Sequence, residues 1–144
     1  MSIISVNQGG VVRKKFKQFA VRNNYSLVAS ARKGVKPDLF YDLAGVMKMP
    51  EKNLAQIIHV STRTISNYKE SKKFLDPVQS EHLLKLVALY EKGEELFGNV
   101  DEFNYWLQKP SWNDKESPMD WLITPGGVDL ITDELTRLAC GDAV

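Results

Sequence analysis

Thr62, Arg63, Ser66 and Asn67 bring two hydroxyls, a guanidinium and an amide within six residues of one another. Their apolar neighbours Ile65 and Tyr68 fall at helical spacing, so burying that pair turns the four polar side chains toward solvent. Groups of this kind can hydrogen-bond the base edges of a DNA major groove, with Arg on guanine and Asn on adenine as the favoured pairs. Ser61 precedes them and can cap the helix by accepting an amide near Thr64. The freed helix N-terminus then suits a phosphate. Lys69, Lys72 and Lys73 follow and are candidates for gripping the backbone beside the reading face.

A second helix must position these residues. Leu54, Ile57 and Ile58 share one face of the preceding segment, Ala55 is small where two helices would cross, and Val60 plugs the corner. The pattern from Asn53 to Tyr68 is that of a helix-turn-helix. His59 occupies the turn position where glycine is commonest, which predicts a left-handed backbone there. Two amphipathic helices at an angle also occur as plain packing units, so the register alone leaves DNA binding as one of two readings.

The remaining elements follow from periodicity and punctuation. Val12, Phe16, Phe19 and Ala20 predict an amphipathic helix over about residues 11–22, with Lys14, Lys15 and Lys17 outside. Pro37 opens a helix to about Lys48, Pro50 opens the first helix of the motif, and Pro77 begins a long helix that Gly98 ends. Short helical segments follow at 101–107 and around Met119–Leu122. Thr124-Pro125 starts a final helix that buries Val128, Ile131, Leu135 and Leu138. Trp106 and Trp121 are expected as core residues, and Trp112, on a loop bracketed by prolines, as an interface anchor. The predicted fold is all-α: a basic N-terminal arm over residues 1–36, a helix-turn-helix DNA-binding domain over 37–98, and a small helical domain over 99–144.

Composition narrows the function classes. With 144 residues, 43% hydrophobic and 26% charged, the chain suits one core or two small helical subdomains. Its net charge of +1 conceals a polarity. No acid precedes Asp38, whereas eight bases do, among them Arg13, Lys14, Lys15 and Lys17; after Leu96, nine acids face three bases. This implies a polyanion as partner for the basic arm and a basic protein surface for the acidic end. A mitochondrial transit peptide would share the basic, acid-free start but makes no sense of the DNA-binding motif, and RNA binding lacks an aromatic platform in the arm. The single cysteine, Cys140, fits a reducing cytoplasm, and no apolar run or signal-peptide pattern points to a membrane.

Catalytic chemistry is not expected. His59 and His82 are the only histidines, and neither they nor Cys140 have metal-ligand or nucleophile–base spacing. Gly126-Gly127 superficially suggests phosphate binding, but no strand precedes it and no Lys-Ser/Thr follows. No metal and no cofactor is implied.

From about Ala31 onward, roughly four fifths of the chain, several short pieces occur in a telling order. They are Arg32-Lys-Gly34-Val, Val60-Ser-Thr-Arg-Thr-Ile65, Leu75 with Ser80–Leu84, and Glu94-Glu-Leu-Phe-Gly98. Then come Trp106-Leu107 with Pro110, Ser117-Pro-Met-Asp-Trp-Leu122, Thr124 with Gly127, and Leu135-x-Arg137-Leu138-x-x-Gly141. This order resembles the Xre/MbcA/ParS family of bacterial type II antitoxins. The resemblance implies a non-enzymatic antitoxin that binds double-stranded operator DNA and represses its own operon. It also implies neutralisation of a cognate RES-type, NAD-consuming toxin, with the antitoxin a homodimer inside a hetero-oligomer. The family's C-terminal end approaches the toxin's active site, which maps onto Arg137, Leu138, Gly141 and the tail Asp142, Ala143 and Val144. Together with Trp112 these are the expected toxin-binding residues. A stand-alone regulator with a C-terminal dimerisation or co-regulator domain is the competing class.

Overall fold

The computed structural model describes residues 10–19, 23–110 and 115–141. Among them the chain is all-α, with no β-strand. The helices are α1 (Val11–Lys15), α2 (Asn24–Lys33), α3 (Pro37–Met47), α4 (Glu51–Ile58), α5 (Thr62–Glu70), α6 (Pro77–Phe97), α7 (Val100–Gln108) and α8 (Pro125–Ala139). A 3₁₀ helix, Pro118–Ile123, precedes α8.

The 21-residue helix α6 is the axis of the molecule. Leu83, Leu84, Leu86, Val87, Leu89 and Tyr90 are all buried on it. Burial on several sides of one helix requires partners on several sides. Helices α2, α8 and α7 supply most of that cover, with α1, α3 and α4 adding the rest. One continuous hydrophobic cluster therefore runs from Val12 through Leu54, Ile65 and Leu83 to Val128, Ile131 and Leu135. Residues expected in separate units thus pack into a common core.

Two expectations need correction at the N-terminus. The helix expected over 11–22 is only α1, which ends at Phe16, where φ is −115°. Val12 and Phe16 are already buried there, and Phe19 continues as a turn through its amide to the Phe16 carbonyl, so further helix is not needed to satisfy them. Ala20 and Arg22 lie outside the described residues. Helix α2, in contrast, was not expected. Its inward stripe is only Leu27 and Ala31, while Tyr25 and Val28 point outward. The available signal was punctuation: Asn23 caps it by accepting the Ser26 amide at 2.9 Å, and Gly34 ends it.

Two buried polar devices join the outer helices to α6. Ser80 Oγ accepts the Val35 amide at 3.0 Å and donates to the Leu75 carbonyl at 3.2 Å, clamping the entry of α3 to the start of α6. Glu94, otherwise a buried carboxylate, accepts the amides of Val11 and Val12 and so caps α1. At the other end Gly127 lets α8 start against the 3₁₀ helix, since a Cβ there would meet the Trp121 carbonyl oxygen. Trp106 is half-buried and packs against the core, stacked on Phe103 and tilted against Phe97, but Trp121 is 37% exposed and is not the core staple expected of it. The short 3₁₀ helix buries Leu122 and Pro118 instead, which leaves the indole at the rim.

Candidate nucleic-acid interface

Helices α4 and α5 meet through a tight turn. His59 has φ 62° and ψ 39°, the left-handed backbone expected at this position, and its amide and that of Val60 close the end of α4 on the Gln56 and Ala55 carbonyls. Ser61 then caps α5, its Oγ accepting the Thr64 amide at 3.0 Å. Ile65 is fully buried, Tyr68 and Thr64 are half-buried, and Thr62, Arg63, Ser66 and Asn67 are exposed. The inward side of α5 rests on α3, α4 and the core, so its four polar residues present one continuous outer face. A surface cleft beside the start of α5 is lined by Lys52, Ala55, Gln56, His59, Val60, Ser61 and Thr62. Lys52 and Gln56 belong to this face of the motif although the sequence pattern did not single them out; their exposure on α4 next to Thr62 is a tertiary fact.

The three lysines after the reading face are not equivalent. Lys69 is 3.8 Å from the Asp38 carboxylate and lies 5.2 Å from the Tyr41 ring centre, which ties the end of α5 to α3. Lys73 sits 4.7 Å over the Tyr68 ring. Lys72 is exposed with φ 57°, at the turn where the chain leaves α5. Such contacts of exposed cations are weak and leave the ammonium groups free to exchange partners.

The basic arm differs from the uncompensated charge cluster that its sequence suggests. Arg13 lies 3.9 Å from Glu91 and Lys15 4.0 Å from Asp42, both acids from distant parts of the chain. Lys14 and Lys17 are exposed. Glu94 fixes the whole short helix against α6, so its cations sit on a docked element.

At the acidic end, Arg137 is exposed and pairs with Glu134 one turn earlier on α8. Leu138 is half-buried against the core, so it divides its surface between packing and solvent. Gly141 is exposed with φ 79° just past the helix end. Trp112, Asp142, Ala143 and Val144 lie outside the described residues. Of the acids on α8, Asp129 bonds Lys85 at 2.7 Å, whereas Asp133 and the apolar Leu130 face outward.

Both histidines act at the junction between the motif and this end. His59 Nε2 is 2.8 Å from the Ile123 carbonyl oxygen, and His82 Nε2 is 2.8 Å from that of Leu122. Because a carbonyl only accepts, each ring donates its Nε2–H. His82 is 2% exposed, and desolvation holds its pKa below the ordinary 6.5 despite the bond to Leu122, which favours the charged form. No cluster of three metal-binding side chains and no buried side-chain polar atom without a partner occurs among the described residues.

No helix among the described residues is long and apolar enough to cross a membrane. A comparison with curated proteins returned no match. Residues 26–88 match the family model of the antitoxin Xre-like helix-turn-helix domain, a segment that begins in α2 and ends within α6. It contains both helices of the motif, and the family is one of DNA-binding regulators.

Proposed function

Since the chain carries an antitoxin Xre-like helix-turn-helix domain, we propose that it is the antitoxin of a bacterial type II toxin–antitoxin pair, binding operator DNA to repress its own operon and neutralising a RES-type, NAD-consuming toxin. The observation that carries the DNA-binding half is the outer face of α5, where Thr62, Arg63, Ser66 and Asn67 stand exposed above a fully buried Ile65. Arg63 reads a guanine edge and Asn67 an adenine edge, while Ser61 and the first turn of α5, with Lys72, contact phosphate. The chain does no catalysis and needs no cofactor. It works in the cytoplasm, as a homodimer inside a toxin–antitoxin hetero-oligomer.

The toxin is met by the 99–144 end, through Trp112, Arg137, Leu138, Gly141 and the tail Asp142, Ala143 and Val144. A pocket that takes the diphosphate of NAD, which carries two negative charges, is basic, and Asp142 offers it a carboxylate. Support for this comes from the geometry of α8: Val128, Ile131 and Leu135 bury one side and hold Arg137 and Gly141 at an exposed end. Arg137 enters the site by exchanging Glu134 for a carboxylate of the toxin.

Two measurements test the proposal. Arg63→Ala is expected to weaken binding to the duplex upstream of the gene by about 1 to 3 kcal/mol. A folded Thr62/Arg63/Ser66/Asn67 quadruple alanine variant that keeps wild-type affinity and sequence preference would refute the reading face. For the toxin, the adjacent gene is co-expressed with the chain ended at Leu138. Growth arrest with intact DNA binding is expected, and full protection by the shortened chain would remove the tail from the toxin's site.

A further inference from the structure

The turn of the helix-turn-helix is held from outside the motif. His59 lies two residues before Ser61, the cap of α5, and its ring donates to the backbone of Ile123, 64 residues away. The adjoining carbonyl, that of Leu122, takes the buried ring of His82 from α6. Two consecutive carbonyls of the 3₁₀ helix are thus bound by two histidines, one from the body of the molecule and one from the turn. The same 3₁₀ helix packs on α4, α7 and α8. Its sequence cannot drift from α8 either, because Gly127 brings the two backbones into contact at Trp121.

We propose that Pro118–Ile123 is a splint for the DNA-reading head, and that His59 is the positioning residue through which it sets the pose of α5. His82 anchors the splint to α6, Leu122 fills the core beneath it, and the His59 ring carries the position of Ile123 into the turn. Residues 60 and 61 then transmit it to the first turn of α5, where Thr62 and Arg63 project. The splint lies outside residues 26–88, so the segment matched as a helix-turn-helix domain does not contain all that orients its own reading face. Ile123 is 49% exposed and Trp121 37%, so a protein that covers this rim touches the element that holds the turn.

The inference rests on the DNA-binding reading of α5, and its test is arranged to stand apart from that reading. Two single variants of the full chain are compared with wild type. His59→Gly removes the ring while favouring the left-handed backbone, so strain in the turn cannot explain a loss. His59→Gln restores an N–H donor at about the reach of Nε2. Hydrogen exchange is followed without DNA at the amides of residues 60–67, and affinity is measured for the duplex upstream of the gene. His59→Gly is expected to speed exchange at these amides, and to weaken duplex binding, by roughly two- to tenfold, the worth of one ordinary hydrogen bond. Amides in the middle of α6 stay unchanged, and His59→Gln recovers both properties. Unchanged exchange in His59→Gly would overturn the proposal, and so would weakened binding with unchanged exchange, since His59 would then be touching DNA directly. A wild-type chain that binds no duplex defeats the DNA-binding reading, while the exchange result still decides the splint.

Discussion

Glu94 and Val12 are 82 residues apart, yet the carboxylate of the first accepts the backbone amide of the second at 2.9 Å, deep under the N-terminal helix. The other carboxylate oxygen takes the Val11 amide, also at 2.9 Å. A negative charge at the N-terminus of α1 satisfies two donors that the helix itself cannot, and favours the orientation of its dipole. The same carboxylate leaves little room beside Gly10, where a Cβ would come within 2.8 Å of its Oε1. Glu94→Ala is therefore expected to lower stability by about 1.5 to 3 kcal/mol, the range for hydrogen bonds to a charged group, and to release α1. Limited proteolysis checks the second part: cleavage within residues 11–19 appears in the variant before the remainder of the chain is cut.

Docking of α1 changes what its charges can contribute to DNA binding. Arg13 and Lys15 face Glu91 and Asp42, so of the four cations from Arg13 to Lys17 it is Lys14 and Lys17 that have most to offer a phosphate. The double variant Lys14→Gln/Lys17→Gln keeps the buried Val12 and Phe16. If both lysines meet backbone phosphates, the slope of log affinity against log salt becomes shallower by about 1.8. An unchanged slope would assign α1 a purely structural role.

Gly127 supports the opposite end of the molecule. A Cβ at this position would lie far inside contact distance of the Trp121 carbonyl, which is backbone and cannot swing aside. Gly127→Ala is expected to destabilise the chain by about 1 to 3 kcal/mol or more, although alanine is the better helix former. Gly126, with open space around its Cβ position, is the control, and Gly126→Ala leaves stability unchanged or raises it. Urea unfolding of the two variants decides the comparison.

His82 predicts a pH dependence of known sign. Desolvation depresses its folded-state pKa, so below the ordinary value of 6.5 the unfolded chain binds the proton more readily than the folded one. Its stabilising contribution is complete above about pH 6.5 and is lost as acidification carries the solution down through the depressed folded value. The urea midpoint of wild type should fall on going from about pH 7 to about pH 5, and that of His82→Gln should fall less over the same interval. Equal falls would place the sensitivity elsewhere.

The helix-turn-helix was legible from residues alone because everything that defines it is local. Leu54, Ile57, Ile58 and Ile65 repeat at helical spacing, Ser61 and Pro50 mark starts, and His59 stands at the position that needs a left-handed backbone. Helix α6 and the Thr124 cap of α8, which accepts the Gly127 amide at 2.9 Å, were readable for the same reason. Helix α2 was not, since two buried residues make too faint a stripe and its stability comes from packing on α6. The charges of the arm were visible as a composition, but their partners Glu91 and Asp42 come from helices brought alongside only by folding. In the sequence Glu94 is one polar member of an apolar stripe, and only the fold places the N-terminus of α1 on its carboxylate. The histidines are the clearest case. A ring that donates to a side chain can leave a paired signature in sequence, whereas His59 and His82 donate to the main chain of Ile123 and Leu122, and every residue has a carbonyl. Local periodicity and capping determined which helices form and which side chains face out of the motif; only tertiary packing decided which backbone atoms hold its turn.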